Sequence, residues 1–204
     1  MRNSVQKLYI AVKKWITVSA DFYIGIAAAV LLLPLKWVCA WIFAIIFHEL
    51  CHFLALRIRH NEVTGIFISA KGVRMYTQNL STIDEAICAY AGPFGALLLL
   101  LFARQMPRVA ICVVVQSAFN LLPVYPLDGG RGLNCILTKM FGEERGKLIL
   151  SVIEHLTIVL FLVLAIYAYF CLGLGLLPAL IVIVMMIRSR KINIPCKIGK
   201  KALQ

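Results

Sequence analysis

The sequence predicts an all-α polytopic membrane protein, and three observations support this fold class. Hydrophobic residues make up 62% of the 204 residues, charged residues only 15%, and the mean hydropathy is +0.90. Several apolar runs reach the roughly 20 residues that a helix needs to cross a hydrocarbon core. Lys and Arg are concentrated in alternate connections between these runs. We place six transmembrane helices at about 16–34, 37–57, 85–103, 109–127, 148–170 and 173–187.

The net charge of +12 follows this topology. Of the 21 Lys and Arg residues, 18 fall on one side of the predicted spans, and the remaining three are Lys36, Arg104 and Arg108. By the positive-inside rule both termini are cytoplasmic, and the chain is an integral, multi-pass cell membrane protein. No soluble basic face remains for nucleic acid, so we expect the lipid bilayer and no nucleic acid among its partners.

The first two spans lead to a short β-structure. The basic N-terminus has no small-residue cleavage site after it, so we expect an uncleaved first helix. Pro34 and Lys36 separate this helix from the second one. The connection after the second helix contains VTGIFISAKGVRMY, rich in β-branched and aromatic residues, with Lys71-Gly72 available for a turn. It predicts a short β-hairpin or re-entrant loop at 63–76, with a surface-lying loop as the alternative.

The fourth span is predicted to be a broken helix. Its end reads NLLPVYPLDGG, in which Pro123 and Pro126 interrupt the helical pattern shortly before Asp128. Non-helical backbone at membrane depth is tolerated only where protein covers it or where it lines a wet cavity. The break therefore indicates a built site.

The fifth and sixth spans are plain, except for Glu154 and His155 inside the fifth. These two are either a buried polar pair, near the site or at a dimer contact, or side chains that extend towards the interface near Lys147, and we leave both out of the site. We expect residues 1–188 to form one six-span domain, followed by a basic cytoplasmic tail at 189–204. Neither a PDZ module nor a nucleotide-binding domain is expected.

The second helix contains the residues that point to chemistry. In FHELCH, His48 and His52 are four residues apart, so they project from one helix face and can bind one metal ion, while Glu49 lies beside that face. This is the HExxH arrangement of zinc hydrolases. With only 4 histidines in 204 residues a chance match is improbable. The alternative, histidines packed between helices, would place three costly polar groups in an apolar helix without a function.

A catalytic zinc site needs a third protein ligand and an open position. Asp21 and Asp84 lie at span ends, where water can solvate them, whereas Asp128 follows the broken helix at a depth similar to that of the histidines. We therefore predict Asp128 as the third ligand, with a helix-end turn residue as the alternative. Cys51 is the alternative ligand, because thiolates bind zinc well. It lies about 100° around the helix from His52, and a fourth protein ligand would close the water position, so it is predicted to pack between helices.

These residues resemble the site-2 protease family, zinc metalloproteases that cut within or near the membrane. HELCH matches its HExxH motif, NLLPVYPLDGG resembles its second signature, and AGPFGA is similar to a Gly-Pro motif in the intervening helix. The motif spacing and the six-span layout are most similar to the sporulation branch, typified by the stage IV sporulation protein FB.

The resemblance implies one Zn²⁺ per chain, with the ligands His48, His52 and Asp128. It implies that Glu49 is the catalytic acid/base acting on a water activated by that ion. It also implies that the site is shaped, and substrate approached, by Asn120, Pro123 and Pro126. The hairpin is where the family holds substrate as an added strand.

The implied function is that of a zinc metalloendopeptidase that cuts a membrane-associated protein near the cytoplasmic side by regulated proteolysis. In the sporulation branch the substrate is a pro-form of a sigma factor, and membrane inhibitor or regulator proteins hold the enzyme in check. The alternatives are a non-proteolytic membrane metal carrier and a family member that binds substrates without cutting them. Substrate identity, homo-oligomer formation and nucleotide regulation stay open.

Overall fold

The computed structural model describes residues 16–69, 72–78 and 80–172, and it is mostly helical with one small sheet. The predicted sixth span and the basic tail lie outside the described residues. The elements in chain order are β1 (Ile16–Val18), α1 (Ala20–Leu32), α2 (Leu35–Ile58), β2 (Val63–Ser69), β3 (Gly72–Thr77), α3 (Thr82–Ala96), α4 (Pro107–Asn120), α5 (Asp128–Phe141) and α6 (Glu143–Leu172). A 3₁₀ helix, Leu97–Phe102, continues α3.

Among the described residues, three helices are long and apolar enough to cross a membrane. They are α2, α3 with its 3₁₀ continuation, and the part of α6 up to Phe170. The apolar helix α1 has 13 residues and α4 has 14, fewer than the roughly 20 that a straight span requires. The chain thus has helices of spanning length, and the arrangement of six spans stays a prediction.

The sequence-based start of the first helix is wrong. The span predicted at 16–34 begins with a strand, because β1 pairs in parallel with β2. The Ser19 N–H then donates to the Ile68 carbonyl at 2.9 Å, and α1 begins at Ala20. Two of the three residues in the triplet Ile-Thr-Val are apolar and all are β-branched, so they suit a strand once a partner edge is available.

The predicted β-hairpin is confirmed. Strands β2 and β3 pair antiparallel from Val63 with Thr77 to Ser69 with Gly72, and the sheet order is β1-β2-β3. Gly72 has φ +120°, a conformation that side chains rarely adopt, which explains glycine at this reversal. The central strand is therefore β2, and the residues of β3 alternate between exposed and half-buried.

A cap at the end of α2 directs the chain into this hairpin. His60 adopts φ +55°, in the left-handed region, and the Asn61 N–H donates to the Leu56 carbonyl at 2.9 Å. This bond satisfies one of the carbonyls that every helix end leaves without an intrahelical partner. The helix with the HExxH motif therefore has a defined end.

The predicted break of the fourth helix is confirmed. Helix α4 ends at Asn120, and the next seven residues, 121–127, are not helical; we call them the proline segment. A helix that the sequence does not predict, α5, follows it and ends before Gly142, which has φ +83°. Its three glycines lower the helix propensity, but its buried face packs closely against α6.

Small residues allow α2 to approach its neighbours closely. Ala40 and Ala44 of α2 are buried against Ala96 and against Cys112 and Val113 of α4. A Cβ atom built on Gly95 would lie 2.6 Å from Sγ and 2.8 Å from Cβ of Cys51. Helices in membranes associate through such small-residue contacts. The packing role predicted for Cys51 agrees with this contact.

We expect Gly95→Ala to lower the thermal stability of the detergent-solubilised protein. The added methyl group overlaps Cys51 and costs about 1–3 kcal/mol by overpacking, which exceeds the gain in helix propensity of about 1 kcal/mol. In Gly95→Ala/Cys51→Ala the overlap with Sγ is gone, so part of the loss should be recovered. Equal melting temperatures for the single variant and the wild type would contradict this packing.

Candidate metal centre

Two histidines on one face of α2 bring their ring nitrogens together. His48 is buried, with 2% of its surface exposed, and His52 is half-buried one helical turn later. Their Nε2 atoms are 3.1 Å apart, and the two rings meet edge to face at 85°. The i, i+4 spacing on a helix produces this convergence.

Asp128, the first residue of α5, supplies a third donor. One ring nitrogen of each histidine and one carboxylate oxygen of Asp128 all lie within 4.8 Å of one another. Tetrahedral zinc with bonds of about 2.0–2.1 Å holds neighbouring ligand atoms roughly 3.3 Å apart, close to the separation of the imidazole nitrogens. Two imidazoles and one carboxylate also form a known ligand set of catalytic zinc. This His-His-Asp group could hold a metal ion, and the chemistry of its donor set fits zinc.

The remaining sequence-predicted residues each lie close in sequence to one of the three ligand residues. Glu49 is half-buried and directly follows His48. Asn120 is the last residue of α4, while Pro123 and Pro126 belong to the proline segment, where Pro123 is half-buried and Pro126 exposed. The roles of these four side chains stay predictions.

Two charged residues near Asp128 were not predicted from the sequence. Arg131 Nη1 lies 3.8 Å from Asp128 Oδ1, and its Nη2 lies 3.7 Å from Glu85 Oε1 of α3. The Arg131 side chain is 37% exposed, so each pair contributes little to stability. The i, i+3 spacing from Asp128 to Arg131 is the sequence signal that could have indicated the first pair.

Glycines pack the start of α5 tightly against the proline segment. A Cβ atom on Gly129 would overlap the Leu121 carbonyl, and one on Gly130 would overlap the Val124–Tyr125 peptide, 2.6 Å from the Tyr125 nitrogen. A Cβ atom on Gly132 would overlap the ring of Tyr90. The chain can place Asp128 directly after the segment because the next residues have no side chains.

Glu154 and its neighbour His155 lie in different environments. Glu154 is fully buried and accepts a hydrogen bond from the Tyr125 N–H at 2.5 Å. His155 is exposed, and its Nδ1 donates to the Ser151 carbonyl of its own helix at 2.6 Å. Lys147 instead pairs with Glu143 at 2.7 Å. The interpretation that Glu154 extends towards the interface is therefore wrong.

The protein's fold is similar to that of a site-2 protease. The solved structure of the site-2 protease from Methanocaldococcus jannaschii matches with a TM-score of 0.59 and 17% identity, over 86% of this chain and 88% of that one. No protein-family model and no curated protein matches the sequence. At this identity the likeness establishes a shared fold. The shared fold agrees with the helices of spanning length and with the site-2 protease resemblance seen in the sequence motifs.

We expect Gly130→Ala to weaken metal binding about tenfold or more, because the added methyl group displaces the Val124–Tyr125 peptide, which lies a few residues before Asp128. Gly146→Ala is the matched control, since its Cβ atom would lie 2.8 Å from the Thr138 nitrogen, where α5 meets α6. The control should lower stability and leave zinc affinity unchanged. Zinc affinity is measured by competition with a chromophoric chelator, and equal losses in both variants would contradict the specific effect.

Proposed function

We propose that the protein is an intramembrane zinc metalloprotease that hydrolyses a peptide bond of a membrane-associated protein. One observation carries this proposal: the ring nitrogens of His48 and His52 and a carboxylate oxygen of Asp128 lie within 4.8 Å of one another. The likeness in fold to a site-2 protease and the helices of spanning length support it. Glu49, one residue after the first histidine, completes the set that peptide hydrolysis needs.

Each residue of the set has a distinct role in the proposed reaction. His48, His52 and Asp128 would hold the ion, which when bound supplies an activated water and polarises the scissile carbonyl. Glu49 takes the proton of the attacking water and returns it to the amide nitrogen of the departing product. Asn120 is proposed to donate a hydrogen bond to the developing oxyanion. The apolar surroundings of α2 lower the local dielectric constant and strengthen these electrostatic interactions.

The finer features of the proposal depend on the sequence alone. The distribution of Lys and Arg favours cleavage near the cytoplasmic side, with both termini in the cytoplasm. Membership of the sporulation branch stays a prediction from the motif spacing and the six-span layout. A sigma-factor substrate and regulation by membrane partner proteins stay predictions that this resemblance implies. A membrane metal carrier is the competing function, and it differs in that no peptide bond is cut.

Glu49→Gln should retain zinc and reduce cleavage at least about 100-fold, because an amide can pack in the same space but cannot accept the proton. The measurement compares zinc content with the fragments released from a membrane-anchored test substrate. Glu62→Gln is the matched control, because Glu62 is exposed and lies beyond the end of α2. Cleavage by Glu49→Gln at the wild-type rate would contradict the assigned role.

Asp128→Ala should lose both zinc and cleavage, with affinity reduced more than about 100-fold, because only two protein ligands remain. Asp84→Asn is the control, since Asp84 lies in the first turn of α3 and its carboxylate accepts a hydrogen bond from Ser81 Oγ at 2.7 Å. Elemental analysis of the purified variants gives the metal content. A full complement of zinc in Asp128→Ala would assign the third ligand to another residue.

Cleavage that a zinc chelator blocks and that added zinc restores would separate the protease from the metal carrier. A carrier binds zinc but releases no fragment from the substrate. A family member that binds substrate without cutting it would likewise give no fragment, despite intact Glu49.

A further inference from the structure

A fully buried carboxylate in α6 contacts the segment that leads to Asp128. Glu154 has 0% of its surface exposed, in a helix long and apolar enough to cross a membrane. Burying a polar group is unfavourable unless it is hydrogen-bonded, and ionisable residues within membrane helices are rare and usually functional. The hydrogen bond between the Tyr125 N–H and Glu154 therefore indicates a role for this carboxylate.

The proline segment has five backbone N–H groups, because Pro123 and Pro126 have none. Four of them donate to carbonyls nearby in the chain: those of Leu121, Leu122, Val124 and Leu127 donate to Ser117, Phe119, Leu122 and Val124 at 2.8–3.2 Å. The fifth, that of Tyr125, donates to Oε1 of Glu154 at 2.5 Å. Nearly all buried backbone groups in proteins are paired, and here Glu154 completes the set.

Both sides of the Val124–Tyr125 peptide are thereby held. Its carbonyl accepts the Leu127 N–H at 2.9 Å, and its N–H donates to Glu154. Gly130, in the first turn of α5, packs so closely on this peptide that a Cβ atom there would overlap it. Asp128 lies between these fixed points, three residues after Tyr125.

We propose that Glu154 is a positioning residue for the metal centre: it fixes the Val124–Tyr125 peptide and, through it, the start of the helix that presents Asp128. This inference rests on the proposed function in that Asp128 is taken as a metal ligand. Glu154 itself is not assigned a contact with the metal or with the reacting atoms. Its effect is on the orientation of a carboxylate that must converge with two imidazoles.

The test compares Glu154→Leu, Glu154→Gln and His155→Leu with the wild-type protein in detergent. The leucine variant takes away the acceptor for the Tyr125 N–H, whereas glutamine keeps an oxygen at the same position. His155→Leu is the matched control, because it removes the adjacent polar side chain on the exposed face of the same helix. Three quantities are measured: zinc affinity by competition, the melting temperature, and amide hydrogen exchange of residues 121–127 in the metal-free protein.

We expect Glu154→Leu to bind zinc about tenfold or more weakly and to exchange faster within the proline segment. Glu154→Gln and His155→Leu should match the wild type in both measurements. A residue that only stabilised the fold would lower the melting temperature without a selective change in that segment. If the leucine variant does not fold, Glu154→Asp takes its place, since its shorter side chain keeps the carboxyl group but does not reach Tyr125.

Wild-type zinc affinity and wild-type exchange in Glu154→Leu, or in Glu154→Asp where that variant is used, would overturn the positioning role. The proposed function would survive that result as long as the wild-type protein binds zinc and cuts its test substrate. A wild-type protein that binds no zinc would instead overturn the proposed function. The two failures are therefore distinguishable.

Discussion

Pairing of backbone hydrogen-bond groups in an apolar surrounding is the constraint on which the rest of this structure depends. A chain with this hydropathy can leave helical geometry only where other groups replace the lost intrahelical bonds. The proline segment meets that condition with short-range bonds, two residues that lack an N–H, and one carboxylate from α6. Because those conditions are met, α4 can stop, and α5 can begin with Asp128 in the group with two histidines.

Side-chain size has a second influence on the same region. The residues after Asp128 are glycine, glycine, arginine and glycine. Each glycine lies so close to backbone or to an aromatic ring that a Cβ atom there would overlap it. On α2, alanines and the Cys51–Gly95 contact allow similarly close packing. In both places small residues let backbones approach closely, where lipid supplies little force for association.

The sequence was a good guide where the signal was local. The i, i+4 histidines, the prolines before Asp128 and the β-branched residues around Gly72 each predicted a feature that the structure contains. It failed where partners are distant in the chain. A strand of three residues, β1, forms only because β2 lies beside it 50 residues later. The role of Glu154 depends on Tyr125, 29 residues earlier. Helix α5 was not predicted, because its glycines weaken helix propensity although they suit close packing.

The short strand β1 has a mechanical consequence. It occupies one edge of β2 and passes through Ser19, itself bonded to Ile68, directly into α1. The hairpin is therefore attached to β1 and α1 as well as to the chain segments at its own two ends. Any large movement of β2 and β3 must either break the parallel pairing or move α1 with them.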